Sequence, residues 1–220
     1  MTKKQRVIVV GGGDSIRKGI QKGLWEKIKG EEIWSCNYAF MSMPYLPQKE
    51  IWVDVKFWKD NCDKLQELFK QGVEMVSRVH NTWKTVEGID TYLSTREASH
   101  ANENTIFYGR MGLSGAFALG KAVKDKWAEI YILGFDFGSA SLEEKQTHYY
   151  QGILNVQSTG MGRPEVYRMP DNRLKREVED FKEYLVEGVK IINVSPQSNI
   201  PYFEKIDYDE FFRRLLCQNG

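Results

Sequence analysis

The sequence is poor in the features that mark secreted, membrane-bound or metal-built proteins. It has only three cysteines, Cys36, Cys62 and Cys217, far apart and odd in number. They show no metal-type spacing, and a reduced, cytoplasmic setting fits them best. Histidine is equally scarce: His80, His100 and His148 do not group, and no metal site is expected. No apolar run approaches the length of a membrane span. The start, Met1-Thr2-Lys3-Lys4, enters a strand directly, so no leader is expected. Charge of one sign is also lacking. Lys and Arg number 31 against 30 Asp and Glu, a net charge of +1. That argues against a broad grip on nucleic acid, although a local basic cleft is compatible with it. There is no internal repeat and no low-complexity segment.

What is present suffices for a full hydrophobic core. The chain has 220 residues, 41% hydrophobic and 28% charged, and reads as one globular domain, residues 1–220. The sequence leaves the oligomeric state open, and a homo-oligomer is compatible with it.

The chain is organised around a stretch near its start. Val7-Ile8-Val9-Val10 is a run of β-branched residues, the pattern of a central parallel strand. Gly11, Gly12 and Gly13 follow at once. Ile16, Ile20, Leu24 and Ile28 then recur at the spacing of one helix stripe. Ser15 or Asp14 is placed to cap that helix. A strand, Gly-rich turn and helix bring backbone N–H groups to one point, where an anion is stabilised. The alternative is a tight turn that needs glycine only for its geometry. Ile16 stands where a dinucleotide fingerprint has its third glycine, and no Lys-Ser or Lys-Thr pair follows. Hydride transfer and an ATP-type phosphate loop are therefore disfavoured.

Further strands are expected at Ile33–Cys36, 50–54, 73–79, 105–108, Glu129–Leu133 and 190–194. Helices are expected after Asp54 (stopping near Gly72), after Ser114, around 174–185 and over 209–216. Residues 80–104 read as irregular, and 138–170 as a loop or lid excursion. The alternation argues for an α/β, Rossmann-like fold: a mainly parallel sheet with helices on both faces. Ser15, Asn37, Asp54, Asp136 and Ser195 all fall just past the ends of predicted strands, where such sheets bind ligands. Arg110 precedes a second glycine-bearing turn at Ser114-Gly115 and is suited to pairing with a phosphate. His148 lies within the excursion, where a histidine can serve as general base or acid. Each residue alone also has a plain structural reading, as turn, cap or core.

These motifs occur in a familiar order. Val7–Ile16, Cys36-Asn37, a strand ending at Asp54, Ser114-Gly115, Ile132-Leu133-Gly134-Phe135-Asp136, His148-Tyr149 and Pro196-x-Ser198 together resemble the small bacterial lipooligosaccharide sialyltransferases. They are also similar to a related family of unknown function that includes hydroxymethylpterin diphosphokinases and motility accessory proteins. Small phage-encoded members resemble the chain most in length. The resemblance spans residues 6–204 as sparse motifs. It implies transfer from a nucleotide-activated sugar without a metal or other cofactor, to an acceptor it does not identify. It assigns the nucleotide site to Gly11, Gly12, Gly13, Ser15, Asn37, Asp54, Ser114, Gly115, Asp136, Pro196 and Ser198. It makes His148 and Arg110 the catalytic pair. The chain departs from the sialyltransferases in three places. Asp54 replaces an asparagine, Gly138 replaces a tyrosine, and the span from Asp136 to His148 is shorter. Two rival readings remain: Mg²⁺-dependent pyrophosphoryl transfer using Asp54 and Asp136, and a non-catalytic binding or phage assembly protein on the same fold.

Overall fold

In the computed structural model, residues 5–78, 89–92, 113–137, 148–154 and 173–217 are described. The β-branched run forms strand β1 (Arg6–Val10). Its side chains alternate between two cores. Val7 and Val9 face one way, Ile8 and Val10 the other. A strand buried on both faces needs covering on both, and the chain supplies it.

Among the described residues, eight strands form one sheet in the order β5-β4-β3-β2-β1-β6-β7-β8. They are β2 (Ile33–Cys36), β3 (Lys49–Trp52), β4 (Glu74–Arg78), β5 (Ile89–Tyr92), β6 (Glu129–Leu133), β7 (Lys190–Asn193) and β8 (Glu204–Lys205). All seven pairings are parallel. Helices α1 (Ile16–Gln21), α2 (Leu24–Lys27) and α3 (Val55–Lys70) follow in chain order. Then come α4 (Ser114–Lys124), α5 (Gln151–Leu154), α6 (Arg173–Asp180) and α7 (Tyr208–Cys217). The α4 side chains pack on the Val7 face, and those of α1, α2 and α7 pack on the Ile8 face. The α/β, Rossmann-like expectation holds. The strand order reverses between β1 and β6, which makes their C-terminal ends the switch point of the sheet.

The structure corrects several local expectations. The Ile16–Ile28 stripe is not one helix. Gly23, at φ +78°, breaks it into α1 and α2 while keeping Ile16, Leu24 and Ile28 in one core. Neither Ser15 nor Asp14 caps α1 by its side chain: Ser15 makes no such bond and Asp14 pairs with Arg17. The third strand ends at Trp52, and Asp54 is the N-cap of α3, accepting from the Lys56 N–H at 2.7 Å. Residues 37–42 form a 3-10 turn. Strand β5 lies inside the stretch expected to be irregular. The helix around 174–185 gives way to a 3-10 turn at Phe181–Tyr184. Gly72 ends α3 at φ +89°, as expected. The strand expected at 105–108 lies outside the described residues, as does most of the 138–170 excursion. Residues 148–154 of that excursion are packed against the β1 turn, as set out below.

Helix α7 is locked to α1 by a close contact. A Cβ on Gly19 would sit 2.4 Å from Tyr208 Cε1. Gly19→Ala should therefore destabilise the protein by about 1–3 kcal/mol, the range for overpacking, although alanine favours a helix. In a Tyr208→Leu background the added cost of Gly19→Ala should largely vanish. Denaturant titration of the four proteins tests this, and equal costs in both backgrounds would refute the contact.

Candidate functional site

The β1–β6 ladder runs on past both strands. Gly11 N–H donates to Leu133 O at 2.8 Å and Gly13 N–H to Gly134 O at 2.9 Å. None of Gly11, Gly12 and Gly13 has a positive φ. Space, not backbone freedom, demands glycine here. A Cβ on Gly11 would lie 2.9 Å from Gly134 O, one on Gly12 2.4 Å from His148 Cδ2, and one on Gly13 2.6 Å from Asp136 Oδ2.

This arrangement corrects the expectation that the turn offers bare N–H groups to a phosphate. Two of them are bonded to carbonyls at the end of β6 and just past it, Leu133 O and Gly134 O. A third, Ser15 N–H, donates to Asp136 Oδ2 at 2.8 Å. The anion at the start of α1 is the protein's own carboxylate.

Asp136 is 5% exposed, and its turn is held from below. Phe135 O accepts from Ser198 Oγ at 2.6 Å and from Asn193 Nδ2 at 3.3 Å. Asp136 O accepts from Asn199 N–H at 3.1 Å. Ser198 Oγ also accepts from Ile200 N–H at 3.2 Å. Its hydroxyl thus serves the protein rather than facing outward, and Pro196 is exposed in the preceding turn. Asp136 Oδ1 is buried without a hydrogen bond, as are Ser15 Oγ and Tyr208 Oη.

His148 reaches this point by backbone pairing. It forms an antiparallel bridge with Gly13, and Tyr149 N–H donates to Gly12 O at 3.0 Å. Its own N–H donates to Gln151 Oε1 at 2.8 Å, and its ring stacks on Tyr150 with centroids 5.2 Å apart. Burial pushes the imidazole pKa down to about 4. The ring is therefore neutral near pH 7 and able to accept a proton.

The second corner lies at the ends of β2 and β3. Asn37, at φ +54°, turns its Oδ1 to accept from Ser114 Oγ at 2.9 Å. Ser114 Oγ accepts in turn from Val53 N–H at 3.2 Å. Asp54 beside it is exposed. Gly115 passes so close to the turn after β6 that a Cβ would meet Phe135 Cζ at 3.0 Å. Tyr38 joins the two corners, with its ring 5.6 Å from that of Tyr150.

Of the sequence candidates, the structure thus gathers Gly11, Gly12, Gly13, Ser15, Asp136 and His148 at one corner. Asn37, Ser114 and Asp54 gather at the other. Arg110 lies outside the described residues, as do His80 and His100. Sequence reasoning missed Tyr150, which supports the imidazole, and Tyr149, whose hydroxyl meets Ser42 Oγ at 2.7 Å. Two tyrosines in a row after a histidine were the available signal. It also passed over Glu50, read only as the start of a strand. Among the described residues no group of three or more His, Cys, Asp or Glu side chains gathers to hold a metal ion. Among them, too, no helix is long and apolar enough to cross a membrane.

The geometry makes two predictions about His148. Its imidazole should titrate near pH 4 by NMR, and Gly12→Ala should displace it and move the value toward 6.5. A folded pKa below the unfolded one adds stability that is full above about 6.5 and lost as pH falls through about 4. A wild-type imidazole titrating at its ordinary value would contradict this placement.

No protein-family model matches the chain, and no curated protein matches it. Among solved structures it is similar to the MAf glycosyltransferase from Magnetospirillum magneticum AMB-1, with a TM-score of 0.60 and 12% identity. The match covers 99% of this chain and 37% of that one, so the chain spans little more than a third of that protein's length. At that identity the likeness is one of fold, shared with part of that protein.

Proposed function

We propose that this protein is a transferase that moves a group, by this reading a sugar, from a nucleotide-activated donor to an acceptor nucleophile. The observation that carries the reading is His148. A neutral imidazole is pinned by backbone pairing over the Gly turn, at the switch point where such sheets bind ligands. The fold shared with a glycosyltransferase supports it. So does the ordered set of motifs that resembles the sialyltransferases and the motility accessory proteins.

The roles follow from the chemistry. With the Gly turn filled by Asp136, the donor's phosphates fall to the start of α4, at Ser114 and Gly115. Asp136 Oδ1 is an acceptor in need of a donor, suited to a ribose or sugar hydroxyl. Asn37 presents its amide at the other corner. His148 takes the acceptor's proton as the bond to the anomeric carbon forms, and Arg110 offsets charge on the departing phosphate. A phosphate bound nearby favours the imidazolium, which lifts His148 toward the working pH. The exposed Asp54 disfavours an anionic donor sugar at that corner. A cytoplasmic setting goes with the reading.

A thermal-shift screen of nucleotides and nucleotide sugars, with and without Mg²⁺, is the first test. A ligand at about 100 times its Kd adds about 2.7 kcal/mol. At this chain length that raises Tm by about 5–10 °C. A nucleotide or nucleotide sugar that binds without Mg²⁺ is the expected hit, and a cytidine nucleotide would support the sialyltransferase-like form of the reading. A strictly Mg²⁺-dependent ATP hit, lost on Asp54→Asn, would move the assignment to pyrophosphoryl transfer. With the donor found, His148→Ala should abolish transfer and leave donor binding nearly intact. Loss of both, or of neither, would refute the role given to His148.

A further inference from the structure

The segment that carries His148 is tied to the rest of the molecule at a second place. Backbone pairing lays it over the Gly turn: His148 bridges Gly13, and Tyr149 N–H donates to Gly12 O. Those two contacts lie side by side along one line. A line of contact fixes where the segment crosses the turn but not how it tilts. The tilt matters, because a Cβ on Gly12 would come within 2.4 Å of His148 Cδ2 and 3.1 Å of Tyr150 Oη. Tyr149, between those two residues in sequence, is wholly buried in the core cluster that also holds Ala39 and Met43.

The Tyr149 hydroxyl lies 2.7 Å from Ser42 Oγ and 3.4 Å from Ala39 O. Ser42 Oγ is itself 2.8 Å from Ala39 O. Each hydroxyl carries one hydrogen. In one arrangement Ser42 donates to the carbonyl and Tyr149 donates to Ser42 Oγ. In the other, Tyr149 donates to the carbonyl and Ser42 donates to Tyr149. Both keep the two hydrogens inside this triangle, and both join the His148 segment to the end of the 37–42 turn. Burial pushes the Tyr149 pKa upward, so the phenol keeps its hydrogen near neutral pH. Ring contacts run alongside. His148 stacks on Tyr150, and the Tyr150 ring lies 5.6 Å from that of Tyr38, the second residue of the same turn.

One six-residue turn thus reaches both corners of the crevice. At its start Asn37 Oδ1 accepts from Ser114 Oγ, and at its end Ser42 holds Tyr149. We propose that the Tyr149 hydroxyl is a latch that binds the His148 segment to the 37–42 turn, which makes Tyr149 a positioning residue for the imidazole. The latch sets where the ring stands over Gly12 relative to the Asn37–Ser114 contact. That a reaction uses this spacing rests on the transferase reading; the latch itself does not.

Tyr149→Phe keeps the buried ring and removes only the hydroxyl. Ser42 can still donate to Ala39 O, so the change strands no buried polar group. Without the latch the segment tilts away and water reaches the imidazole. In NMR spectra of the full chain, the His148 pKa should rise from about 4 toward 6.5. The residue-149 amide, bonded to Gly12 O, should exchange with solvent deuterium about tenfold faster, the loss of roughly one hydrogen bond. The amides of β1 should exchange as in the wild type. An imidazole that keeps its wild-type pKa would overturn the proposal. So would β1 amides that speed up to the same degree, because Tyr149 would then serve overall stability alone. Ser42→Ala breaks the triangle from the other side. It should move the imidazole in the same direction by less, since Tyr149 can still donate to Ala39 O. The double variant should match Tyr149→Phe alone, and a sum of two separate shifts would overturn the pairing. If Tyr149→Phe does not fold, Ser42→Ala decides alone, and an unmoved imidazole there overturns the latch. Every readout uses the protein without a ligand. Failure of all nucleotides to bind would count against the transferase reading, and the spectra would still decide the latch.

Discussion

The nearness of two backbone turns sets the terms for everything around them. Past the ends of β1 and β6 the chains stay within hydrogen-bonding distance, Gly11 to Leu133 and Gly13 to Gly134. No side chain fits between them. That closeness brings Asp136 beneath the N-terminus of α1 and leaves the outer side of Gly12 open to the His148 ring. A polar crevice at the edge of a parallel sheet is common to folds of this kind. Here its form follows from how little space the turns leave.

The polar groups of the crevice divide by charge. The buried carboxylate of Asp136 lies against an N–H at the start of a helix. His148 is held neutral by burial. The β1 side of the crevice therefore offers hydrogen-bond acceptors, and the α4 side offers N–H groups. On the transferase reading proposed above, the donor's hydroxyls go to the first side and its phosphates to the second.

Much of the fold was legible along the chain, because buried parallel strands carry continuous apolar runs. Residues 33–36 and 129–133 were read to the residue for that reason. Strand β5 was missed because Ile89-Asp90-Thr91-Tyr92 sits at a sheet edge and carries no such run. Two-residue β8 is too short to leave a pattern. The break at Gly23 was hidden because Leu24 and Ile28 keep helical spacing across it. For the site, position past strand ends picked out Asn37, Asp54 and Asp136 correctly as edge residues. It could not show their partners. That Asp136 bonds to Ser15, that Asn37 meets Ser114, and that Ser198 faces inward to Phe135 O are facts of contact between distant segments. Single-residue spacing holds no trace of them.

Ile16 stands where a dinucleotide-binding turn keeps its third glycine, the one that lets helix and strand approach. The approach is made all the same. A Cβ at Gly134 would lie 2.7 Å from Ile16 Cδ1, and Gly134, at φ +70°, has none. The bulk is on the helix and the vacancy is in the turn that follows β6. A fingerprint split in this way between two distant segments is invisible to any pattern read along one of them. The close approach of α1 to the sheet is thus allowed by Gly134, not by a third glycine in the turn.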